Sequence, residues 1–350
     1  MVLARGGTDR PCGRMPPQQV TPNYKRRDGY IMNVKEFADK VLSNVSSVIV
    51  GKDSQIRLIL TSLIAGGHVL MEDVPGTGKT VMAKSLAASI DCSFNRVQFT
   101  PDLLPSDVTG LNVFDAKQGE FVFKPGPVFT NVLLADEINR ATPRTQSALL
   151  ECMEEKQVTL DGVTRPLPAP FLVIATQNPI ETQGTFPLPE AQLDRFLMKL
   201  SLGKLSHADA VSVLERFMKN DPLKALPAVC SSEELISAQR ECLNCAVSQP
   251  VMDYIASLCQ NTHSANGVML GVSPRGMLAL MRASRALAMI NGRDFVTPDD
   301  VKELAVPVLA HRIAVKVIYG QKDAAENAVK EALSNTPVPT ESVKAREFDE

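Results

Sequence analysis

The sequence predicts an α/β fold with a parallel sheet flanked by helices, followed by a small all-helical domain. Short apolar runs alternate with helical patterns over residues 45–200, and this alternation is typical of a parallel sheet. The apolar runs at 132–135 and 171–176 are continuous rather than alternating, as expected for strands buried on both faces. Beyond Gly203 only helical patterns follow. We therefore expect two structural parts in one chain.

Composition excludes several classes of protein. The 350 residues include 37 Lys plus Arg against 39 Asp plus Glu, so no basic surplus favours a nucleic-acid partner. An uninterrupted apolar run of about 18 residues, which a membrane span requires, is absent from the sequence, so we expect no stable membrane insertion. Seven scattered cysteines favour a reducing compartment over a disulfide framework. We expect a cytoplasmic protein.

The chain divides into four segments. Residues 1–31 are rich in Pro, Gly, Arg and Gln without periodicity, which predicts a disordered N-terminal extension. Residues 32–202 are predicted to form the α/β core, residues 205–334 the helical domain, and residues 335–350 a flexible tail. Because Met32 directly precedes the first helical pattern, one hypothesis is that Met32 is the native start.

A glycine-rich turn follows the first apolar run. The stretch HVLMEDVPGTGKT at 68–80 reads as a strand, a turn and the start of a helix. Glycines such as Gly76 and Gly78 allow backbone N–H groups to approach one anion closely, and the following helix presents its positive end. Lys79 is placed to reach β- and γ-phosphates, and the Thr80 hydroxyl to hold Mg²⁺. This stretch predicts a phosphate-binding loop.

One position departs from the general phosphate-loop pattern. The pattern G-x-x-x-x-G-K-[ST] begins with a glycine, and this chain has Asp73 there. Gly76 and Gly78 keep the turn permissive, and the strand and helix on either side are in place. The phosphate-binding interpretation is therefore retained.

Polar side chains follow two later apolar runs. Asp136 and Glu137 end the run at 132–135, and Asn178 follows the run at 171–176. An Asp-Glu pair downstream of a phosphate loop offers a magnesium ligand and an acid that can polarise water. An amide at the tip of the next strand can orient that water. This combination favours hydrolysis over binding alone.

Two segments interrupt the α/β pattern. Residues 103–129 are irregular, with a short hairpin arm expected at 121–123. Alternating residues surround Asp161-Gly162, a strong hairpin signal. We expect these insertions to be working or assembly loops rather than buried core.

The motifs in their order resemble the MoxR family of AAA+ ATPases. The resemblance rests on residues 69–80 and on VLLADEINR, ATQNP, LPEAQLDRF and GVSPRG, and it covers about residues 34–330. It implies an AAA+ P-loop core with a five-stranded parallel sheet and a helical lid, with ATP and Mg²⁺ as cofactors. The preference for ATP over GTP comes from the resemblance alone.

The resemblance also implies roles for individual residues. Asp136 and Glu137 match Walker B, Asn178 matches sensor 1, and Arg275 matches sensor 2. Arg195 stands where the family has an arginine finger that acts on a neighbouring subunit, with Arg140 and Arg144 as alternatives. The residues implied to bind nucleotide are Val50, Gly51, Pro75, Gly76, Thr77, Gly78, Lys79, Thr80, Val81 and Arg275. Those implied in catalysis are Lys79, Glu137, Asn178 and Arg195, and those implied to hold Mg²⁺ are Thr80 and Asp136.

At the level of the whole protein, the resemblance implies a ring, expected to be a hexamer, whose two insertions face a central pore. Such a ring acts as a chaperone-like remodeller that matures or activates a client, often with a von Willebrand factor A-domain partner. The sequence does not identify the client. Two alternatives remain: a chelatase-like motor subunit for metal insertion, and an ATP-gated interaction switch with negligible turnover.

Four residues have a spacing that suits zinc. Cys242, Cys245, Cys259 and His263 follow a C-x2-C-x13-C-x3-H pattern, which zinc sites share. Cys259 and His263 belong to one helical pattern, and cysteine is frequent in protein cores. We favour buried core residues over a zinc site.

Overall fold

The computed structural model describes residues 32–74, 76–179, 184–218, 221–316 and 323–339. The expected N-terminal extension at 1–31, Pro75 of the phosphate loop and residues 340–350 of the expected tail lie outside these ranges, so those expectations stay predictions.

The predicted parallel sheet is present. The strands of the described residues are β1 (Val69–Glu72), β2 (Phe94–Gln98), β3 (Gly110–Asp115), β4 (Glu120–Pro125), β5 (Val132–Asp136), β6 (Gln157–Leu160), β7 (Val163–Pro166), β8 (Leu172–Gln177), β9 (Met198–Leu200), β10 (Val268–Leu270) and β11 (Ala314–Val315). Within this part of the chain, five of them form one sheet in the order β2-β5-β8-β1-β9, and each neighbouring pair is parallel. The strand order places β8 next to β1 and β5 on the other side of β8, so the strands that lead to the predicted catalytic residues lie on the same side of β1.

The central strands are buried on both faces. On β5, Val132 and Leu134 pack into one apolar cluster, and Leu133 and Ala135 pack into another. Successive side chains of a strand point to opposite faces, so a continuous apolar run is required where both faces are covered. This confirms the interpretation of the apolar runs.

Helices cover both faces. The α-helices of the described residues are α1 (Val34–Ser46), α2 (Asp53–Ile64), α3 (Lys79–Ser89), α4 (Pro105–Thr109), α5 (Pro143–Glu155), α6 (Glu190–Leu193), α7 (His207–Phe217), α8 (Ser232–Cys242), α9 (Gln249–Thr262), α10 (Pro274–Ile290), α11 (Pro298–Leu309) and α12 (Ala324–Asn335). Buried side chains of α1, α2 and α3 belong to the cluster on one face of the sheet, and those of α5 to the cluster on the other.

Both insertions contain hairpins. The antiparallel pair β3–β4 contains the predicted hairpin arm, and β6–β7 turns at Asp161 and Gly162 as predicted. The hairpins touch each other, because the Asn112 amide donates to the Asp161 carboxylate at 2.6 Å. The Arg165 guanidinium also lies 4.1 Å from the centre of the Phe123 ring. The two insertions therefore form one connected surface.

The lid helices, α7 to α12, follow the sheet. The lid contains one feature that was not predicted, a short antiparallel pair of β10 and β11. At the end of α12, Thr336 is buried and its hydroxyl accepts a hydrogen bond of 2.8 Å from the Asn261 amide. The chain is thus packed through Thr336, the second residue of the expected tail.

Arg312 fixes the lid to the core. Its guanidinium is buried, pairs with the Asp194 carboxylate at 2.6 Å and donates to the Phe196 carbonyl at 2.6 Å. Burial lowers the pKa of Arg312, and the Asp194 partner keeps the charge paired, which a buried charge requires. The loop that carries Arg195 is therefore held by the lid.

Candidate functional site

A cavity of about 360 Å³ lies at the carboxyl ends of neighbouring strands. Ligands bind at this edge in open parallel sheets. We call it the phosphate cavity; among the described residues it is lined by Asp73, Gly76, Gly78, Lys79, Thr80, Val81, Arg96, Gln98, Asp136, Glu137 and Asn178. Apart from Val74 and Thr77, the described residues from Asp73 to Val81 and both Walker B residues meet here.

The phosphate loop has the backbone that anion binding requires. Gly76 and Gly78 have φ angles of 83° and 91°, a left-handed conformation that costs glycine little and other residues more. Helix α3 begins directly after Gly78, so its free N–H groups and positive dipole end face the loop. The buried Lys79 ammonium donates to the Asp73 carbonyl at 2.8 Å.

The Asp136 carboxylate is fully engaged. One oxygen accepts a hydrogen bond of 2.6 Å from the Thr176 hydroxyl, and the other pairs with the Arg96 guanidinium at 2.6 Å. Arg96 comes from β2, which is paired with β5 in the sheet. A cation therefore already occupies one oxygen of the carboxylate that was predicted to hold Mg²⁺.

Glu137 is held in an uncommon backbone conformation. Its φ is 57°, a value that non-glycine residues rarely adopt outside functional or turn positions. Its N–H donates to the Thr176 hydroxyl at 2.8 Å, and its carboxylate accepts from the Gln98 amide at 2.7 Å. Arg140 pairs with the same carboxylate oxygen at 3.2 Å. Thus Glu137 is restrained at both its backbone and its side chain.

The donors of the phosphate cavity suit Mg²⁺ and phosphate. Magnesium prefers oxygen ligands, and Thr80 and Asp136 supply a hydroxyl and a carboxylate to the same cavity. The contact between Asp136 and Arg96 shows that this carboxylate attracts a cation. Buried Asn178 completes the wall beyond β8. The residues present therefore fit a magnesium–nucleotide complex.

Three residues of this site were not among the predicted ones, namely Arg96, Gln98 and Thr176. Arg96 and Gln98 stand two apart on β2, so they share one face of the strand. Polar residues at alternate positions before a loop are a weak signal, and only the pairing of β2 with β5 brings them to Asp136 and Glu137.

Val50 and Gly51 do not line the phosphate cavity among the described residues. Gly51 has a φ of 66°, and a Cβ there would lie 2.5 Å from the carboxylate of Asp209 in α7. Only glycine fits such a close approach. Val50 and Gly51, which the resemblance implies bind nucleotide, thus lie where the core meets the first lid helix.

Arg195 and Arg275 line a second cavity, of about 530 Å³. We call it the arginine cavity; its charged lining residues in the described ranges are Glu154, Lys156, Asp194, Arg195, Arg275, Arg282 and Arg312. Arg195 donates to the Leu150 carbonyl at 2.9 Å. Arg275 pairs with Glu154 and lies 3.8 Å from the Asp194 carboxylate. The structure therefore brings these two arginines together and places neither in the lining of the phosphate cavity.

The other two candidates for an arginine finger differ from Arg195. Arg140 is paired with Glu137 of its own chain, and Arg144 is exposed in the first turn of α5. Neither lines the arginine cavity among the described residues. The assignment of the finger stays a prediction.

The four residues with zinc-like spacing are placed in the lid. Burial raises the pKa of the Cys242 and Cys259 thiols to about 12, and Cys245 is buried as well. The His263 ring forms a hydrogen bond of 3.2 Å with the Val272 carbonyl. Within the described residues, no three His, Cys, Asp or Glu side chains form a group that could hold a metal ion.

Comparisons with known proteins identify the family of both parts of the chain. The family model described as ATPase family associated with various cellular activities (AAA) matches residues 68–198, and the AAA lid domain model matches residues 260–334.

In the ranges that the structure describes, each helix is too short or too polar to cross a membrane.

Two relatives and one solved structure extend the comparison. The uncharacterized protein YeaC of Bacillus subtilis (strain 168) is 48% identical over 91% of this chain and 99% of its own. Chaperone MoxR1 of Mycobacterium tuberculosis is 40% identical over 79% of this chain and 75% of its own. The crystal structure of a candidate ATPase from Cytophaga hutchinsonii superposes with a TM-score of 0.81 at 38% identity, covering 88% of this chain and 96% of that chain. The chain therefore belongs to the MoxR family of AAA+ ATPases.

Proposed function

We propose that the protein is a magnesium-dependent ATPase that forms a ring and remodels a client protein or complex. The observation that carries this proposal is the convergence of Lys79, Asp136, Glu137 and Asn178 in one cavity beside the phosphate loop. Phosphate loops alone support binding, whereas an acid at the end of the adjacent strand supports attack by water.

Binding is assigned to the loop and its lysine. The N–H groups around Gly76 and Gly78 hold the phosphates, and the Lys79 ammonium turns from the Asp73 carbonyl toward them. Thr80 and Asp136 hold Mg²⁺, which when bound neutralises the charge that develops on the phosphates. Because Thr176 and Arg96 already engage the two oxygens of Asp136, Asp136 would give up the Arg96 contact where it binds Mg²⁺ directly.

Hydrolysis is assigned to Glu137 and Asn178. The Glu137 carboxylate accepts a proton from the attacking water, and the Asn178 amide orients that water. In the present structure Gln98 and Arg140 hold the Glu137 carboxylate. We infer that catalysis requires Glu137 to leave these two partners.

The arginine cavity supports a ring. Arg195 and Arg275 share it, and an arginine that is not beside its own phosphate loop serves best beside a neighbour's, as arginine fingers do in trans. We therefore assign both arginines to the ATP of the next subunit, in a closed ring that we expect to be a hexamer. The resemblance implies that Arg275 binds nucleotide, and we propose that this nucleotide is the neighbour's.

The wider role rests on the family. A chaperone-like remodeller in the cytoplasm, with a von Willebrand factor A-domain partner and a client yet to be identified, fits the MoxR relatives. The connected hairpins β3–β4 and β6–β7 present exposed apolar side chains, including Phe114 and Phe121, which suit contact with a client in the pore. A chelatase-like motor would use the same ATP site on a different client.

The deciding experiment compares phosphate release and nucleotide binding in the wild type and Glu137→Gln. We expect Glu137→Gln to lose hydrolysis by about 100-fold or more and to keep its affinity for ATP. An exposed control, Glu303→Gln on α11, should behave as the wild type.

The outcomes separate the alternatives. A wild type that binds ATP and releases no phosphate is a switch, and a Glu137→Gln protein as active as the wild type removes the catalytic assignment. Trapped ATP-bound Glu137→Gln protein can then be used to isolate the client. Competition by GTP in the same binding assay tests the preference for ATP.

A further inference from the structure

Asp73, the residue that breaks the general phosphate-loop pattern, is buried, with 6% of its surface exposed. Its carboxylate accepts three hydrogen bonds from the segment that joins core and lid: the Ser201 hydroxyl at 2.7 Å, the Leu202 N–H at 2.7 Å and the Gly203 N–H at 3.2 Å. These donors satisfy a buried charge that would otherwise be costly. A glycine at position 73 would offer none of these bonds.

The backbone of the same residue touches the catalytic elements. The Asp73 carbonyl accepts the hydrogen bond from Lys79. The Asp73 N–H donates to the carbonyl of Gln177 at 3.3 Å, and Gln177 directly precedes Asn178. One residue therefore links the phosphate loop, the strand that ends at the predicted sensor, and the core–lid segment.

The core–lid segment is held at a second point. Gly203 has a φ of 65°, and the Lys204 carbonyl accepts a hydrogen bond of 3.0 Å from the buried Lys52 ammonium. The Ser206 hydroxyl then accepts the Asp209 N–H and so caps helix α7. Because the segment is short and anchored at both ends, a shift at Asp73 is transmitted to the start of the lid.

We propose that Asp73 is a positioning residue that couples occupancy of the phosphate loop to the direction in which the lid leaves the core. This proposal rests on the proposed function, because a bound phosphate must compete with the Asp73 carbonyl for the Lys79 ammonium. Release of that carbonyl changes the position of Asp73, and its carboxylate carries the change to residues 201–203. The departure from the glycine pattern is thus functional.

The test is hydrogen exchange of the full chain with and without ADP or a non-hydrolysable ATP analogue, in the wild type and in Asp73→Asn. Asparagine has nearly the same shape as aspartate, but one carboxylate oxygen is replaced by an NH₂ group. That group cannot accept a hydrogen bond from the backbone N–H groups of residues 202 and 203. In the wild type, nucleotide should slow exchange in the phosphate loop and change it over residues 201–216.

In Asp73→Asn at saturating nucleotide, the phosphate loop should still respond, whereas the response of residues 201–216 should shrink about fivefold or more. If Asp73 had only a structural role, its substitution would either leave the nucleotide response unchanged at both the phosphate loop and residues 201–216 or abolish it at both. Ser201→Ala, which removes one donor to the carboxylate, should give an intermediate response and serves if Asp73→Asn does not fold. The exposed variant Glu303→Gln on α11 is the control.

The results distinguish the two proposals. Absence of any nucleotide response in the wild-type phosphate loop overturns the proposed function. A normal loop response with an unchanged response of residues 201–216 in Asp73→Asn, or in Ser201→Ala where Asp73→Asn does not fold, overturns the coupling alone.

Discussion

The phosphate cavity and the arginine cavity differ in what they offer a nucleotide, and the proposed function assigns one reaction to both. The phosphate cavity contains glycines with left-handed backbone, the amino end of α3 and the paired acids Asp136 and Glu137. The arginine cavity contains four arginines and one lysine against two acids, and it is built by core and lid together. One cavity can hold a magnesium–phosphate group, and the other offers cations without such a backbone cradle.

Under the proposed function, this difference makes one chain half of a complete ATPase site. Arginines that stabilise transferring phosphates act best when they are preorganised, and Arg312 provides that order by holding the backbone on both sides of Arg195. Burial and the nearby Arg275 charge lower the pKa of Arg282, so the arginine cavity concentrates positive charge. A phosphate from another subunit would relieve that repulsion.

The largest expected effect comes from removing the cations of the arginine cavity. Arg195→Ala and Arg275→Ala should each lower the ATPase rate by about 100-fold or more, because transition-state charge loses its partner. The affinity of ATP for the phosphate cavity should change little, since the arginines act across the subunit boundary. The ATPase rate is measured by phosphate release, and the affinity is measured by equilibrium binding of a fluorescent ATP analogue.

Matched controls for this prediction are the other two arginine candidates. Arg144→Ala should retain most activity, and Arg140→Ala should change it less than Arg195→Ala. A loss in Arg144→Ala that equals the loss in Arg195→Ala would move the finger to α5 and away from the arginine cavity.

A second effect is a loss of folding stability at acidic pH that originates at the arginine cavity. Burial lowers the pKa of His68, which lines this cavity, to about 4, against an ordinary value of about 6.5 in the unfolded chain. Between these values the unfolded state binds the extra proton, so the free energy of unfolding falls as pH falls from about 6.5 to 4. The loss due to His68 should reach about 2 kcal/mol by pH 5.

Urea unfolding at pH 7 and pH 5 tests this sign. His68→Gln should show a shallower pH dependence than the wild type, and His207→Gln, an exposed variant on α7, should keep the wild-type slope. An identical slope in wild type and His68→Gln would show that the ring of His68 does not remain neutral in the folded state.

The smallest expected effect lies inside the phosphate cavity. Arg96 is 46% exposed and competes for Asp136, and exposed ion pairs contribute little. Arg96→Gln should therefore lower the Mg²⁺ concentration needed for half-maximal nucleotide binding by about two- to fivefold. A raised Mg²⁺ requirement would instead mean that Arg96 contributes to nucleotide binding.

Local patterns predicted much of this molecule. Continuous apolar runs predicted β5 and β8, because a strand that is buried on both faces needs apolar residues at successive positions. The polar residues after these runs, Asp136, Glu137 and Asn178, were predicted as site residues because ligands bind at the carboxyl ends of parallel strands. The Asp-Gly turn of the β6–β7 hairpin is equally local.

What could not be predicted depends on which elements become neighbours. Gln98 reaches Glu137 only because β2 pairs with β5, and Arg312 reaches Asp194 across 118 positions of sequence. Arg275, which the resemblance implies binds nucleotide, lines the arginine cavity with Arg195, and that placement depends on how the lid docks and not on its motif.

The most direct test of the two-cavity account mixes two inactive proteins. Lys79→Ala lacks the proposed phosphate-binding ammonium group, and Arg195→Ala lacks the proposed arginine finger. In rings assembled from equal amounts of both, about one boundary in four pairs an intact phosphate cavity with an intact Arg195, so co-expressed and co-purified protein should regain about a quarter of the wild-type ATPase rate. Mixing Lys79→Ala with the double variant Lys79→Ala/Arg195→Ala should restore nothing. If the first mixture is as inactive as its parents, the cavities do not act across subunits and the account is contradicted.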